Sequence, residues 1–202
     1  MFLLIISDII NDNSGYELLV DFILADFILE HNLAPKIHFQ VKSIPWFISD
    51  VLTTDFNWIL EKLRSSDDEQ LSITGEKWTN YVKDGKFVLI EPTSDFWTGP
   101  YEFFRMETVD KKLYDHLAEA QLLIFKGDLN YRKLLGDINW KPETDFPTSL
   151  KEFRPTNVCS LRTVKADLIS GIKLGVAEAL KKADPKWMQT GKYGTISFAP
   201  KL

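Results

Sequence analysis

The chain has 202 residues, of which 45% are hydrophobic and 13% aromatic, and its formal net charge at pH 7 is −5. This composition excludes an intrinsically disordered chain and argues against nucleic-acid binding through a basic surface. Cys159 is the single cysteine, so no disulfide can form within the chain. We therefore expect a reducing compartment, the cytoplasm, with the nucleus also open.

The first ten residues, MFLLIISDII, are apolar but do not predict a membrane anchor. Their apolar run is broken by Ser7 and Asp8 and is too short to cross a bilayer. The run also lacks the basic start and the small-residue cleavage site of a signal peptide. We predict a first core strand near residues 2–10 and no association with membranes.

Short apolar runs alternate with helical patterns along the chain, which is typical of βαβ units and a mostly parallel sheet covered on both faces. The helix predicted over residues 16–31 is apolar nearly all round, as expected of a helix buried on several sides. Residues 93–106 are predicted as an aromatic loop and residues 140–155 as an irregular connection. The other predicted helices are 54–63, 71–82, 110–120, the stretch from Asp128 and 168–182; the other strands are 36–41, 87–90, 122–125, 158–161 and 195–198.

Oxygen-bearing side chains follow three of the predicted strands, at the ends where ligands bind in parallel sheets. Asp12 and Asn13 follow the first strand, Asp50 follows the second, and Asp128 and Asn130 follow the strand at residues 122–125. Carboxylate and amide oxygens suit hard ions such as Mg²⁺ or Mn²⁺, and the lack of clustered His and Cys argues against zinc.

Cationic side chains follow two of the strands. Lys126 stands beside Gly127 and the start of a predicted helix, whose free N–H groups suit an anion. Arg162 and Lys165 follow the strand at residues 158–161. A hard cation together with lysine and arginine indicates metal-assisted phosphoryl chemistry, in which positive charge neutralises phosphate oxygens and activates water.

Each of these residues also has a structural interpretation that the sequence leaves open. Residues 12–15 could be a turn and helix cap, and Asp50 could likewise be a cap or a loop residue. Glu17 could lie on a solvated helix edge. Arg162 and Lys165 could form surface ion pairs with Asp167 or Glu178.

Five motifs spread over nearly the whole chain match those of one known family. They are DNSGYE at residues 12–17, KSIPWFISD at 42–50, DFWT at 95–98, FKGDLNYRKL at 125–134 and RTVK at 162–165. On these motifs the chain resembles the damage-control phosphatases, also described as acidic residue methyltransferase-like proteins. RTVK matches the R-T-x-K motif of their subfamily III.

The resemblance implies a three-layer α/β/α fold with a mostly parallel central sheet and a metal-dependent phosphatase of small phosphorylated metabolites, typically fructose 1-phosphate and fructose 6-phosphate. It implies Asp12, Asn13 and Asp50 as ligands of Mn²⁺, Co²⁺, Ni²⁺ or Mg²⁺. We assign catalytic roles to Asp12 and to Asp128, which would orient the water or protonate the leaving oxygen; a nucleophilic carboxylate stays open. The expected substrate contacts are Asp12, Asn13, Glu17, Asp50, Lys126, Gly127, Asp128, Leu129, Asn130, Arg162 and Lys165.

Family members carry a helical region before the Asp12 motif, so we expect residues 1–202 to be one α/β domain, the C-terminal part of a longer family chain. One alternative is methylation of protein glutamate by S-adenosylmethionine, a cofactor expected only in that case. Residues 11–15, directly after the first strand, contain one glycine, Gly15, which disfavours an adenosylmethionine turn. The other alternative is an inactive form that retains metal binding or contacts with an unknown protein partner.

Overall fold

A computed structural model of the chain describes residues 6–201. The chain divides into two compact units, Met1–Gly99 and Pro100–Leu202. The first predicted strand is observed as β1 (Ile6–Ile10), and the earlier part of that prediction lies outside the described residues.

Residues 6–99 of unit 1 contain three parallel strands and three α-helices. The strands run in the order β3-β2-β1, with Ile37 of β2 opposite Ser7 on one side and Phe87 on the other. Each predicted boundary of the later elements agrees within two residues. These elements are α1 (Tyr16–Glu30), β2 (Lys36–Gln40), α2 (Thr53–Arg64), α3 (Glu69–Lys83) and β3 (Phe87–Ile90).

The core of unit 1 is a cluster of aromatic rings around Phe22 of α1, which is fully buried. Its ring centroid lies 5.2 Å from that of Phe39, 4.8 Å from Phe56, 5.4 Å from Trp78 and 5.8 Å from Phe87. These rings come from β2, α2, α3 and β3, so one side chain joins α1 to four other elements of the unit.

The prediction that α1 is buried on several sides is wrong. Leu18, Phe22 and Ala25 are buried, but Ile23 and Phe27 are 53% and 51% exposed. Apolar residues on every face of a helix are compatible with burial of each face. The elements that pack against the helix decide which face is buried.

In unit 2, the part of the chain that the structure describes has three strands, in the order β4-β5-β6. β4 (Leu122–Lys126) and β5 (Asn157–Thr163) are parallel, and β6 (Gly194–Ala199) pairs with β5 in the antiparallel sense, with Phe198 opposite Cys159. Its helices are α4 (Met106–Val109), α5 (Lys111–Ala118), α6 (Gly127–Leu134), α7 (Phe146–Ser149) and α8 (Val176–Ala183).

The predicted helix at residues 168–182 is wrong in its first half, because α8 begins only at Val176. Gly171 and Gly175 have φ angles of 76° and 82°, which no right-handed helix contains. The N–H of Gly171 donates to the carbonyl of Thr144 (2.6 Å) and that of Ile172 to the carbonyl of Pro142 (3.0 Å). These backbone donors therefore bind another loop instead of a helical turn.

The aromatic stretch at residues 93–106 also differs from its prediction as a loop. It contains two short 3₁₀ helices, Asp95–Thr98 and Phe103–Arg105. Phe96, Trp97 and Phe103 of this stretch are buried, so its aromatic side chains contribute to packing.

The predicted fold class, a three-layer α/β/α protein with a mostly parallel sheet, is confirmed. Helices flank the strands, and β6 alone among the six described strands is antiparallel to its neighbour. None of the helices within residues 6–201 combines the length and apolar character that crossing a membrane requires. That the whole chain forms one domain stays a prediction.

Phe22→Ala should lower the free energy of unfolding by about 3–5 kcal/mol, because it removes the ring that the other aromatic side chains of unit 1 contact. Phe27→Ala, at an exposed position of the same helix, should cost about 1 kcal/mol or less. Urea denaturation of both variants measures the difference. Equal losses would contradict the assignment of Phe22 as the centre of this core.

Candidate functional site

Backbone pairing between two loops of unit 1 brings Asp12, Asn13 and Asp50 together. Asn13 and Asp50 form an isolated antiparallel bridge. The N–H of Val51 donates to the carbonyl of Asp12 (3.0 Å), and the N–H of Lys42 donates to the carbonyl of Val51 (2.9 Å). The segment after β1 is thus held against the segment after β2, at the carboxyl ends of two parallel strands.

The side chains at this place form an acid cluster, which we define as Asp12, Asn13, Glu17 and Asp50. The amide Nδ2 of Asn13 donates to Asp12 Oδ2 (3.0 Å) and to Glu17 Oε2 (2.8 Å). Ser49 Oγ donates to Asn13 Oδ1 (2.7 Å). Asp12 and Asp50 are only 6% and 3% exposed, so the cluster contains two buried carboxylates.

Lys42 places a positive charge between these two carboxylates. Its Nζ forms an ion pair with Asp50 Oδ1 and lies 3.7 Å from Asp12 Oδ1. The other carboxylate oxygen of Asp50 accepts a hydrogen bond from the N–H of Phe47. Oxygens from two acids that are distant in sequence therefore face one cation.

Sequence reasoning did not select Lys42 as a site residue, although it lies in the KSIPWFISD motif. A usable signal was present: the lysine comes two residues after Gln40, the buried last residue of β2, where a solvated side chain is not expected.

The cap interpretation fails for these acids. α1 begins after Gly15, whose φ of 69° favours glycine, and no side chain caps that helix. At α2 the N-cap is Leu52, and Asp55 accepts the hydrogen bond from its N–H. Neither Asp12 nor Asp50 therefore owes its position to a helix end.

Glu17 of α1 is not a solvated edge residue, because it accepts the hydrogen bond from Asn13. One turn later, Asp21 is fully buried and accepts a hydrogen bond from Asn11 Nδ2 (2.8 Å). Both acids of this helix face thus fix residues of the segment that follows β1.

In unit 2, the predicted strand-to-helix turn is present where β4 ends and α6 begins. Lys126 ends the strand and is buried, and Gly127 opens the helix with a φ of 80°. Asn130 Nδ2 donates to the carbonyl of Lys126 (2.8 Å), which fixes the turn. Asp128 and Leu129, in the first turn of the helix, are half-buried.

Arg162 of β5 is a fully buried guanidinium that connects several parts of unit 2. Its Nε donates to Asp128 Oδ1 (2.7 Å), Nη1 to the carbonyl of Leu168 (2.7 Å) and Nη2 to the carbonyl of Ala166 (3.0 Å). The guanidinium carbon lies 4.2 Å from the ring centre of Tyr131. Arg162 therefore orients Asp128 and holds the loop that follows β5.

The two cations of the RTVK motif have different environments. Arg162 pairs with Asp128, not with Asp167 or Glu178 as the surface alternative supposed. Lys165 is exposed to solvent. A direct contact of either residue with a substrate stays a prediction.

Arg162→Lys should destabilise the protein by roughly 2–4 kcal/mol, because an ammonium cannot reproduce three directed guanidinium bonds in a buried place. Arg132 offers a matched control: it pairs with Asp137 at the surface through two 2.8 Å hydrogen bonds, which lower the pKa of Asp137. Arg132→Lys should cost about 1 kcal/mol or less. Thermal denaturation of the two variants measures the difference. An equally small loss of stability for Arg162→Lys would contradict the role of Arg162 in holding Asp128 and the loop after β5.

Ile48, in the loop between Lys42 and Asp50, is strained. Its φ is 62°, a conformation that β-branched residues avoid, and its side chain is 93% exposed. Ile48→Asn should therefore stabilise the protein by about 1 kcal/mol, because Asn tolerates left-handed backbone. Ile44→Asn, at an exposed position of the same loop with no positive φ, is the control. A lower melting temperature for Ile48→Asn than for the control would show that no strain is relieved.

The family model of the damage-control phosphatase ARMT1-like domain matches residues 6–180 of the chain. The chain belongs to this family. The matched residues include the acid cluster of unit 1 and the Lys126–Asn130 and Arg162–Lys165 segments of unit 2.

Curated damage-control phosphatases of vertebrates are similar to this chain along almost its whole length. The mouse protein named damage-control phosphatase ARMT1 is 47% identical over 191 residues, and its human counterpart is 44% identical over 190 residues. The zebrafish protein of that name is 43% identical over 192 residues. These alignments cover 94–95% of this chain but 42–43% of the relatives, so the chain spans less than half of their length.

Proposed function

We propose that this chain is the metal-dependent phosphatase domain of a damage-control phosphatase and that it hydrolyses small phosphorylated metabolites. One observation carries the proposal: the buried carboxylates of Asp12 and Asp50 face the same cation, Lys42 Nζ, at the carboxyl ends of β1 and β2. Buried carboxylates are costly without positive charge beside them, so this place is built to hold cations.

The donor set fits a divalent ion. Two carboxylates and the amide oxygen of Asn13 are hard ligands of the kind that Mg²⁺ and Mn²⁺ prefer. We propose Asp12, Asn13 and Asp50 as the residues that hold the ion, with Mn²⁺, Co²⁺, Ni²⁺ or Mg²⁺ as candidates. A divalent ion there would supply charge that neutralises phosphate oxygens and lowers the pKa of a bound water.

The chain's own residues have distinct proposed tasks in the reaction. Glu17, fixed by the amide of Asn13, is proposed to contact the substrate. In unit 2, Lys126 and the N–H groups in the first turn of α6 suit phosphate oxygens. These contacts would involve the backbone of Gly127, Asp128, Leu129 and Asn130.

Asp128 is proposed to orient the attacking water or to protonate the leaving oxygen. Its Oδ1 accepts the hydrogen bond from buried Arg162, which fixes the orientation of the carboxylate. We therefore propose that Arg162 supports the reaction mainly by orienting Asp128. Lys165, in the loop after β5, is exposed to solvent. We propose that Lys165 adds positive charge for a phosphorylated substrate.

The proposed substrates are sugar phosphates, with fructose 1-phosphate and fructose 6-phosphate tried first. The purified chain should release phosphate from them with Mn²⁺, Co²⁺, Ni²⁺ or Mg²⁺, and excess EDTA should abolish the release. Asp12→Asn and Asp50→Asn should each lower kcat/KM by at least about 100-fold, because they remove ligand charge where the metal acts.

The matched control is Asp115→Asn, which changes an exposed carboxylate of α5 that pairs with Lys111. Its activity should equal that of the unmodified chain. Calorimetric titration with S-adenosylmethionine in EDTA should give no heat of binding. Phosphate release that is insensitive to EDTA and to Asp12→Asn would refute the proposal, and metal-free binding of S-adenosylmethionine would favour a methyltransferase.

A further inference from the structure

The buried lysine of unit 1 has no assigned task in the proposed reaction. We propose that Lys42 is a positioning residue: its ammonium is a built-in counter-ion that holds Asp12 and Asp50 in place before a metal binds, and it competes with the metal for the same oxygens. The competition rests on the proposed function, whereas the counter-ion role concerns the metal-free protein.

Burial makes the charge of Lys42 costly unless carboxylates compensate it. Lys42, Asp12 and Asp50 are 4%, 6% and 3% exposed. Two carboxylates this close together repel each other, and the repulsion is strong where water is excluded. The ammonium, in an ion pair with Asp50 Oδ1 and 3.7 Å from Asp12 Oδ1, changes that repulsion into two attractions.

The backbone of Lys42 fixes where its ammonium can reach. Its N–H donates to the carbonyl of Val51, whose own N–H donates to the carbonyl of Asp12. A long lysine side chain normally extends its charged end into water. Here the backbone of Lys42 is held against Val51, next to Asp50, so its side chain extends to the carboxylates instead of into water.

The contacts of the ammonium are also the ones that a metal would use. Asp12 Oδ1 and Asp50 Oδ1 are carboxylate oxygens, and both belong to residues proposed as metal ligands. A divalent ion beside these oxygens would lie within a few ångströms of the ammonium and be repelled by it. Lys42 therefore stabilises the metal-free cluster and weakens metal binding.

The test compares Lys42→Met with the unmodified chain by thermal denaturation in EDTA and in Mn²⁺, and by calorimetric titration with Mn²⁺. Methionine keeps the length and apolar stem of lysine but removes the charge. Lys36→Met, which removes a charge at the first residue of β2, is the control. Lys42→Arg keeps the charge at the position itself.

In EDTA, Lys42→Met should lower the melting temperature by at least about 5 °C, because two buried carboxylates lose a counter-ion. Mn²⁺ should raise the melting temperature of this variant more than that of the unmodified chain, and its Kd for Mn²⁺ should fall by a factor of about 10 or more. Lys36→Met should change neither quantity, and Lys42→Arg should retain most of the stability in EDTA.

Lys42→Met combined with Asp50→Asn covers the case in which the single variant does not fold. The double variant removes one charge of each sign, so it should melt above Lys42→Met in EDTA. An unchanged melting temperature for Lys42→Met, or no recovery in the double variant, would overturn the counter-ion role. Equal or weaker Mn²⁺ binding by Lys42→Met would overturn the competition. Binding of Mn²⁺ to neither protein would overturn the metal site of the proposed function, while the melts in EDTA still decide the counter-ion role.

Discussion

The antiparallel bridge between Asn13 and Asp50 is the constraint on which the acid cluster depends. Parallel pairing of β1 and β2 brings two strand ends to the same edge, but it leaves the following loops free to go elsewhere. The bridge removes that freedom, because a fixed backbone register decides which side chains face each other. Asp12 and Asp50 then share one ammonium, and the amide of Asn13 joins Asp12 to Glu17.

Two buried cations of the described residues, Arg162 and Lys42, are compensated in different ways. Arg162 donates to two backbone carbonyls as well as to Asp128, and a ligand cannot take over those directed bonds. Lys42 contacts carboxylate oxygens, which a divalent ion binds as readily. The guanidinium of Arg162 is therefore suited to hold a loop and an acid in place. The ammonium of Lys42 is suited to a position where a divalent ion can replace it beside the carboxylates.

Sequence reasoning succeeded where local pattern decides structure and failed where distant backbone does. The alternation of apolar runs and helical segments predicted α1, α2, α3, β2 and β3 within two residues, and the Lys126-Gly127 turn joins a strand to a helix as predicted. The predicted helix at residues 168–182 failed because the carbonyls of Thr144 and Pro142 accept hydrogen bonds from N–H groups within it. The apolar periodicity of those residues contains no information about these acceptors, which lie elsewhere in the chain.

The sequence by itself determined the α/β class, the family and the residues of the strand ends, because each is encoded in local periodicity and in motifs of adjacent residues. The tertiary structure alone decided that Lys42 faces the carboxylates of Asp12 and Asp50 and that Arg162 holds Asp128. Lys42 is 8 positions from Asp50 and 30 positions from Asp12, and Arg162 is 34 positions from Asp128. Such partners are chosen by loop register and burial, which charge matching along a sequence cannot supply.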